Sequence, residues 1–189
     1  MKWMIASDIH GSAHFCRKLT ERLAAEQADR LLLLGDLLYH GPRNDLPEEY
    51  APKTVIELLN PLADRILCVR GNCEAEVDQM VLDFPVLADY ALISEGAVQI
   101  FATHGHIWNA DTQPKLRAGD ILLYGHTHVP LCKAVSGHVC LNPGSVSIPK
   151  DGSPHSYMIL ESGVFTWKST DGEPYAAWTH GTPCSKWYL

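Results

Sequence analysis

The chain has 189 residues, the size of one compact domain with a well-covered core, and leaves little room for a second independent domain. Charged residues make up 20% and hydrophobic ones 46%, too apolar for a disordered chain and ordinary for a globular one. A net charge of −7 argues against non-specific nucleic-acid binding, which relies on many lysine and arginine contacts to phosphate; it leaves phosphate chemistry open, because two divalent cations would gather positive charge at one point and bring the total to about −3.

The segment Met1 to Asp8 has too short an apolar run for a signal peptide, and no stretch approaches the ~20 apolar residues of a membrane span. The expected address is the cytoplasm, with no membrane partner. Trp3 to Ser7 fits a short buried strand. Phe15, Cys16, Leu19 and Leu23 then recur at helical spacing with Arg17, Lys18, Glu21 and Arg22 opposite, which predicts a crossover helix before the next apolar run, Leu31 to Leu34. Pro52 suits a first helical turn and opens a second helix that directs Val55, Ile56 and Leu59 to the core until Asn60-Pro61 ends or kinks it. The third run is Ile66 to Val69. Strands alternating with helices predict a mainly parallel sheet with right-handed crossovers.

After about residue 84 helical periodicity fades. The runs Val98 to Ala102 and Ile121 to Tyr124, with turn signals at Ser136-Gly137 and Ser162-Gly163, predict short strands. The fold class is therefore α/β, two packed β-sheets flanked by helices, with the early helices covering the first sheet. One domain is expected over residues 1–168. Residues 169–189, including Pro174, Trp178, His180, Pro183 and Trp187, have a mixed composition and stay unassigned, as a terminal strand or a loose tail. The six cysteines (Cys16, Cys68, Cys73, Cys132, Cys140, Cys184) show no C-x-x-C spacing and are expected as free or buried thiols.

Polar residues gather where the predicted strands end, the place where ligands collect in open α/β sheets. Successive strand ends supply Asp8-Ile9-His10, Gly35-Asp36, Gly71-Asn72, His104 and Gly125-His126-Thr127-His128. Residues two apart on an extended segment point the same way, so Asp8 and His10 can reach one cation, and so can His126 and His128. Taken singly, each piece has an ordinary reading: Asp-x-His as a turn or cap, Gly-Asp and Gly-Asn as turn pairs, His104 as a hydrogen-bonded histidine. The ordered set of five is what points to function.

In that order the residues resemble the signature of the calcineurin-like metallophosphoesterase superfamily, with nearly the whole chain covered; the small size and Gly71-Asn72-Cys73 resemble its compact bacterial and archaeal phosphodiesterase branch. The resemblance implies a metallophosphoesterase-like four-layer sandwich and two divalent metal ions. It places Asp8, His10 and His128 on one metal, Asn72, His104 and His126 on the other, and Asp36 between them. Asp36, Asn72 and His104 are the implied catalytic residues. Carboxylate, amide and imidazole ligands without thiolate suit manganese, iron, nickel or zinc, and the resemblance makes Mn2+ the first choice. The implied reaction is hydrolysis of a small phosphodiester substrate by a hydroxide bridging the two cations. The alternatives are a phosphomonoesterase or a non-catalytic interaction scaffold like a retromer subunit of related fold. Self-association into a homo-oligomer stays open.

Many superfamily members carry histidine where this chain has Cys73. A thiol with an ordinary pKa near 8.5 is a weak substitute for imidazole as a proton donor. His14 and His106 are the candidates to lend a proton instead, against their ordinary reading as loop histidines. Arg43 is a candidate to grip a phosphate oxygen, against the usual exposed loop arginine. Asn142-Pro143-Gly144-Ser145 reads as a structural turn near the site.

Overall fold

In the computed structural model, which describes residues 1–96, 98–184 and 187–188, the N-terminal part alternates β1 (Trp3–Ala6), α1 (Ala13–Ala25), β2 (Arg30–Leu33), α2 (Pro52–Leu59) and β3 (Ile66–Cys68). Ser12 caps α1 by accepting the Phe15 N–H (3.3 Å), the ordinary role of serine at a helix start. Gln27, at φ 52°, turns the chain away after its end. α2 starts on Pro52, and at Asn60-Pro61 it tightens into a 3-10 turn over Asn60–Arg65, because proline has no N–H to continue the α ladder. A one-turn α3 (Glu76–Gln79) follows, then β4 (Tyr90–Glu95), β5 (Val98–Thr103), β6 (Ile121–Leu123), β7 (Leu131–Val135) and β8 (His138–Asn142). The chain then returns through β9 (Ser156–Glu161), β10 (Val164–Ser169) and β11 (Pro174–Thr179), and reaches β12 (Trp187–Tyr188).

Two mixed sheets result, β11-β10-β9-β1-β2-β3 and β12-β7-β8-β6-β5-β4. In the first, β1, β2 and β3 are parallel and β9 to β11 antiparallel. The expected parallel character thus holds for half of that sheet. In the second, β5, β6 and β8 run parallel.

Strand alternation sorts the core into three layers. Met4, Ala6, Leu31, Leu33 and Ile159 face Phe15, Cys16, Leu19, Leu23, Val55 and Leu59 of the helices. Their neighbours Ile5, Leu32, Met158 and Leu160 face Ile100, Ile121, Leu123 and Leu141 of the second sheet. On the outer face of that sheet, Leu122, Tyr124, Leu131 and Cys140 are covered by Ala110 and Leu116, from a stretch with no helix, so the helical cover lies on the first sheet. Burying a side chain of this kind contributes roughly 1.5–3 kcal/mol.

The segment left unassigned by sequence supplies β11, paired with β10, and the short β12, paired with β7; residues 185, 186 and 189 lie outside the described ones. The fully buried Trp167 of β10 donates its Nε1–H to the Asn142 carbonyl (2.7 Å), tying the sheets together. Glu26 at the end of α1 accepts from Tyr157 Oη (2.9 Å) and Lys168 Nζ (2.6 Å), fastening the helix to β9 and β10. The six cysteines are free, and Cys132 and Cys184 approach within 2.8 Å. Among the described residues no helix is long and apolar enough to cross a membrane.

Candidate metal centre

Each site residue follows the C-terminal end of a strand that is parallel to a neighbour: Asp8 and His10 after β1, Asp36 after β2, Asn72 after β3, His104 after β5, His126 and His128 after β6. The backbone there is not extended. Asp8 (φ 61°), His10 (φ 49°), Asp36 (φ 56°), His126 (φ 62°) and His128 (φ 62°) all adopt the left-handed region, which costs a non-glycine residue about 1–2 kcal/mol. This corrects the sequence argument: paired left-handed kinks, not strand alternation, bring Asp8 and His10 together, and the kinks at His126 and His128 send those two histidines to different donor groups.

All seven residues meet in one place. Asp8 Oδ1 lies 3.6 Å from His10 Nε2 and 3.3 Å from His128 Nε2, and those two imidazole nitrogens are 3.2 Å apart. In a second group, His104 Nε2 lies 3.1 Å from His126 Nδ1 and 3.2 Å from Asn72 Oδ1. Asp36 Oδ2 is 3.4 Å from His104 Nε2 and 3.7 Å from His10 Nε2, so one oxygen touches both groups.

Three backbone carbonyls set the imidazole tautomers. Nδ1–H of His10 donates to Tyr39 O (2.7 Å), of His104 to Leu34 O (2.6 Å) and of His128 to Ile148 O (2.6 Å). A carbonyl can only accept, so Nδ1 carries a proton and Nε2 is the nitrogen turned inward, to bind a cation or, without one, to share a second proton. Two such nitrogens facing each other need a proton or a cation between them.

The electrostatics express the same demand for positive charge. Burial alone would raise Asp8, but the imidazoles of His10, His128 and His104 around it hold it well below the usual carboxylate range. Asp36 is likewise raised by burial and, on balance, lowered by His104. Burial pulls His104 down, yet its hydrogen bond to Asp36 and the charges of Asp8 and Asp36 push it up to about 9. His126, desolvated and repelled by His104, falls to about 4 and stays a neutral donor.

Residues 1–163 match the calcineurin-like phosphoesterase superfamily domain. The chain belongs to that superfamily. It is 47% identical over 166 residues to phosphodiesterase YfcE of Escherichia coli K12, spanning 88% of this chain and 90% of the relative. It is 26% identical over 167 residues to the probable metallophosphoesterase YsnB of Bacillus subtilis, spanning 85% and 83%. The solved structure of YfcE superposes with a TM-score of 0.92 at 44% identity, covering 96% of this chain and all of that one. Vps29 of Chaetomium thermophilum shares the fold with a TM-score of 0.62 at 16% identity, over 95% and 99% of the two chains.

Membership in a metallophosphoesterase superfamily implies divalent metal ions, and the donor set fits them. Asp8, His10 and His128 form one group able to hold an ion and Asp36, His104 and His126 another, the donor atoms of each within 4.8 Å of one another. Asp8 Oδ1 is buried without a hydrogen-bond partner, an expensive state for an isolated carboxylate oxygen and a natural one for a ligand.

Above this phosphoesterase centre opens a cavity of about 600 Å³ lined by Asp36, Asn72, His126 and His128 together with Arg43, Asn44, Cys73, Thr127 and Lys150. Arg43 and Cys73 both lie on its wall. His106 does not line the cavity: Gly105, at φ 117°, redirects the chain, leaving the His106 ring 5.4 Å from that of His104 and 6.2 Å from that of His126. His14 is also elsewhere, 3.5 Å from Glu48 and edge-on to Phe15. The Cys73 N–H donates to Asp36 Oδ1 (2.9 Å), and burial together with Asp36 and Glu74 pushes the Cys73 thiol up, so it stays protonated. That disfavours a nucleophilic role.

Further residues support the ligands, Glu74 and Ser147 among them with no sequence signal. Glu74 accepts the N–H groups of Gly71 (2.5 Å), Leu37 (2.7 Å) and Asp36 (2.9 Å), joining the two loops that carry Asp36 and Asn72. A Cβ on Gly71 would lie 2.1 Å from Asp36 Oδ1, and one on Gly125 1.9 Å from Ser7 Oγ, so these motif glycines allow the loops to close on one another. Ser145 and Ser147 both donate to the Asp8 carbonyl (2.9 Å each), and Asn142 Nδ2 to the Gly125 carbonyl (2.7 Å). The Asn142 to Ser145 turn thus supports both kinked segments.

Glu74→Ala leaves three N–H groups without their acceptor. The expected loss is about 2–3 kcal/mol, seen in calorimetry as a Tm lowered by about 5–10 °C; a Tm within 1 °C of wild type, taken here as roughly no change, would refute this role.

Proposed function

We propose that the protein is a metal-dependent phosphodiesterase acting on small phosphodiesters. The observation that carries this reading is Asp36 Oδ2, which lies against both imidazole groups beneath the open cavity. Asp8, His10 and His128 would hold one divalent ion, and Asn72, His104 and His126 the other, with Asp36 shared. Manganese is the first choice, with iron, nickel and zinc compatible with the same donors. Such a pair would supply an activated hydroxide for attack at phosphorus and would neutralise the phosphate oxygens.

The chain's own residues prepare that chemistry. The carbonyls of Tyr39, Leu34 and Ile148 keep three imidazoles turned inward. The Cys73 N–H occupies Asp36 Oδ1, which leaves Oδ2 for the shared position. Asn72 and His126 form part of the cavity wall, where a phosphate would enter. No side chain is required to form a covalent intermediate. The 47% identity to an enzyme named as a phosphodiesterase supports the diester over the monoester.

The test is hydrolysis of an activated aryl phosphodiester with added Mn2+. His126→Ala should lose about a hundredfold or more in kcat, equivalent to about 3 kcal/mol. Equal rates for wild type and variant would remove the mechanism. An aryl phosphomonoester run in parallel separates a monoesterase, and a scaffold protein hydrolyses neither. Because the Cys73 thiol is a poor acid, Cys73→His is expected to raise kcat for alkyl esters by about tenfold, with a smaller gain for aryl esters whose leaving groups need no proton. Equal gains on the two ester types would show that leaving-group protonation is not the weak step.

A further inference from the structure

Two cations of the chain face the cavity, and they hang from the segments that orient one metal group. His10 Nδ1 donates to the carbonyl of Tyr39, which opens the loop Tyr39-His40-Gly41-Pro42-Arg43. Asn44 Nδ2 closes that loop on the His40 carbonyl (2.8 Å). His128 Nδ1 donates to the carbonyl of Ile148, two residues before Lys150. The Lys150 N–H in turn donates to the His128 carbonyl (3.2 Å), while its own carbonyl accepts from Ser153 N (3.0 Å) and Ser153 Oγ (2.7 Å). Arg43 and Lys150 both line the cavity.

Neither exposed side chain has a carboxylate partner among the described residues, which is equally true of Lys53 and Lys115; what sets Arg43 and Lys150 apart is that both line one cavity. In a chain of net charge −7, they set two positive charges on a cavity wall whose one carboxylate among the described residues is Asp36. The metal centre does not need them. Two divalent ions are balanced by the carboxylates of Asp8 and Asp36, an attacking hydroxide and the single charge of a phosphodiester. Arg43 and Lys150 remain in excess by two, the charge of one terminal phosphate near neutral pH.

We infer that Arg43 and Lys150 form a second anion subsite beside the metals, and that the substrate class is a nucleotide-sized phosphodiester carrying an additional terminal phosphate. The inference rests on the phosphodiesterase reading. A cavity of about 600 Å³ is within the range that encloses a small organic ligand. Arg43 offers a planar two-pronged donor and Lys150 a point charge, a common pairing for phosphate.

The experiment compares the 4-nitrophenyl ester of thymidine 5′-phosphate with the same ester bearing a 3′-phosphate, in Mn2+. Wild type should prefer the phosphorylated ester by about tenfold or more in kcat/KM, largely through KM, and Arg43→Gln or Lys150→Gln should each shrink that ratio by about tenfold. Calorimetry on the Mn2+-loaded protein, with thymidine 3′,5′-bisphosphate against thymidine 5′-phosphate, should show the same preference in Kd and the same collapse in the variants. A wild-type ratio near one, or a ratio unchanged in both variants, overturns the subsite. If neither ester is hydrolysed, the diesterase reading fails, and the calorimetric ratio still decides the subsite.

Discussion

Asp36→Asn is expected to lower kcat for phosphodiester hydrolysis by about a thousandfold and to reduce the bound Mn2+ from two ions to one or none. Asparagine keeps an oxygen to accept the Cys73 N–H, which Asp36 Oδ1 now does at 2.9 Å, so the loop it holds has no reason to rearrange. What disappears is the negative oxygen lying 3.4 Å from His104 Nε2 and 3.7 Å from His10 Nε2. Among the described residues, Asp36 is shared by the donor group containing His104 and His126 and the one containing His10 and Cys73. Losing the charge that holds two cations together removes several kcal/mol of transition-state stabilisation, and about 4 kcal/mol corresponds to about a thousandfold. Metal analysis of the dialysed variant beside steady-state kinetics makes the check. Two tightly held ions and a kcat within tenfold of wild type would show that Asp36 is not the shared ligand.

Stripping the metal should make stability depend on pH in the alkaline direction. In the metal-free protein His104 is raised to about 9 by Asp36 and Asp8, against the opposing effect of burial. A histidine whose folded pKa exceeds its unfolded value of about 6.5 contributes stability that is fully present below about pH 6.5 and is lost as pH rises through the folded value. The difference amounts to about 3 kcal/mol, or a Tm lower by about 6–10 °C at pH 9.5 than at pH 6.5. Asp8 and Asp36 act on the other side: both are depressed, so their contribution is present above the ordinary carboxylate range and is lost as pH falls through their low folded values. With metal bound, a cation replaces the His104 proton. The alkaline loss should vanish, and metal affinity should fall as pH drops below about 9 because a proton must leave first. Calorimetry of chelator-treated and Mn2+-loaded protein at the two pH values tests both statements. A metal-free Tm that is the same at pH 6.5 and 9.5 would mean that His104 does not carry the stand-in proton.

The arrangement also shows which parts of such a site are legible before folding. The apolar runs, α1, and the start of α2 at Pro52 follow from local periodicity and turn chemistry, and each appears within a residue or two of its expected bounds. The place of His106, its ring 5.4 Å from that of His104 yet off the cavity wall, could not be read from sequence adjacency once Gly105 takes a positive φ. Glu74 and Lys150 passed unnoticed because nothing local marks them. Glu74 is identified by three N–H groups from loops up to 38 residues away, and Lys150 by its place on the wall of a cavity that it shares with Arg43.

By itself the sequence determined which residues gather at the strand ends and in what order, since hydrophobic alternation places strands and glycine pairs place the turns after them. It also determined the donor chemistry: carboxylate, amide and imidazole without thiolate. The tertiary structure alone decided how those donors converge. Left-handed backbone at Asp8, His10, Asp36, His126 and His128 aims them, and carbonyls of Tyr39, Leu34 and Ile148 choose the nitrogen that faces inward. Main-chain carbonyls are the same on every residue and so leave no trace in the sequence. Left-handed kinks at non-glycine positions are held by contacts from segments distant in sequence, such as the Ser145 and Ser147 hydroxyls on the Asp8 carbonyl.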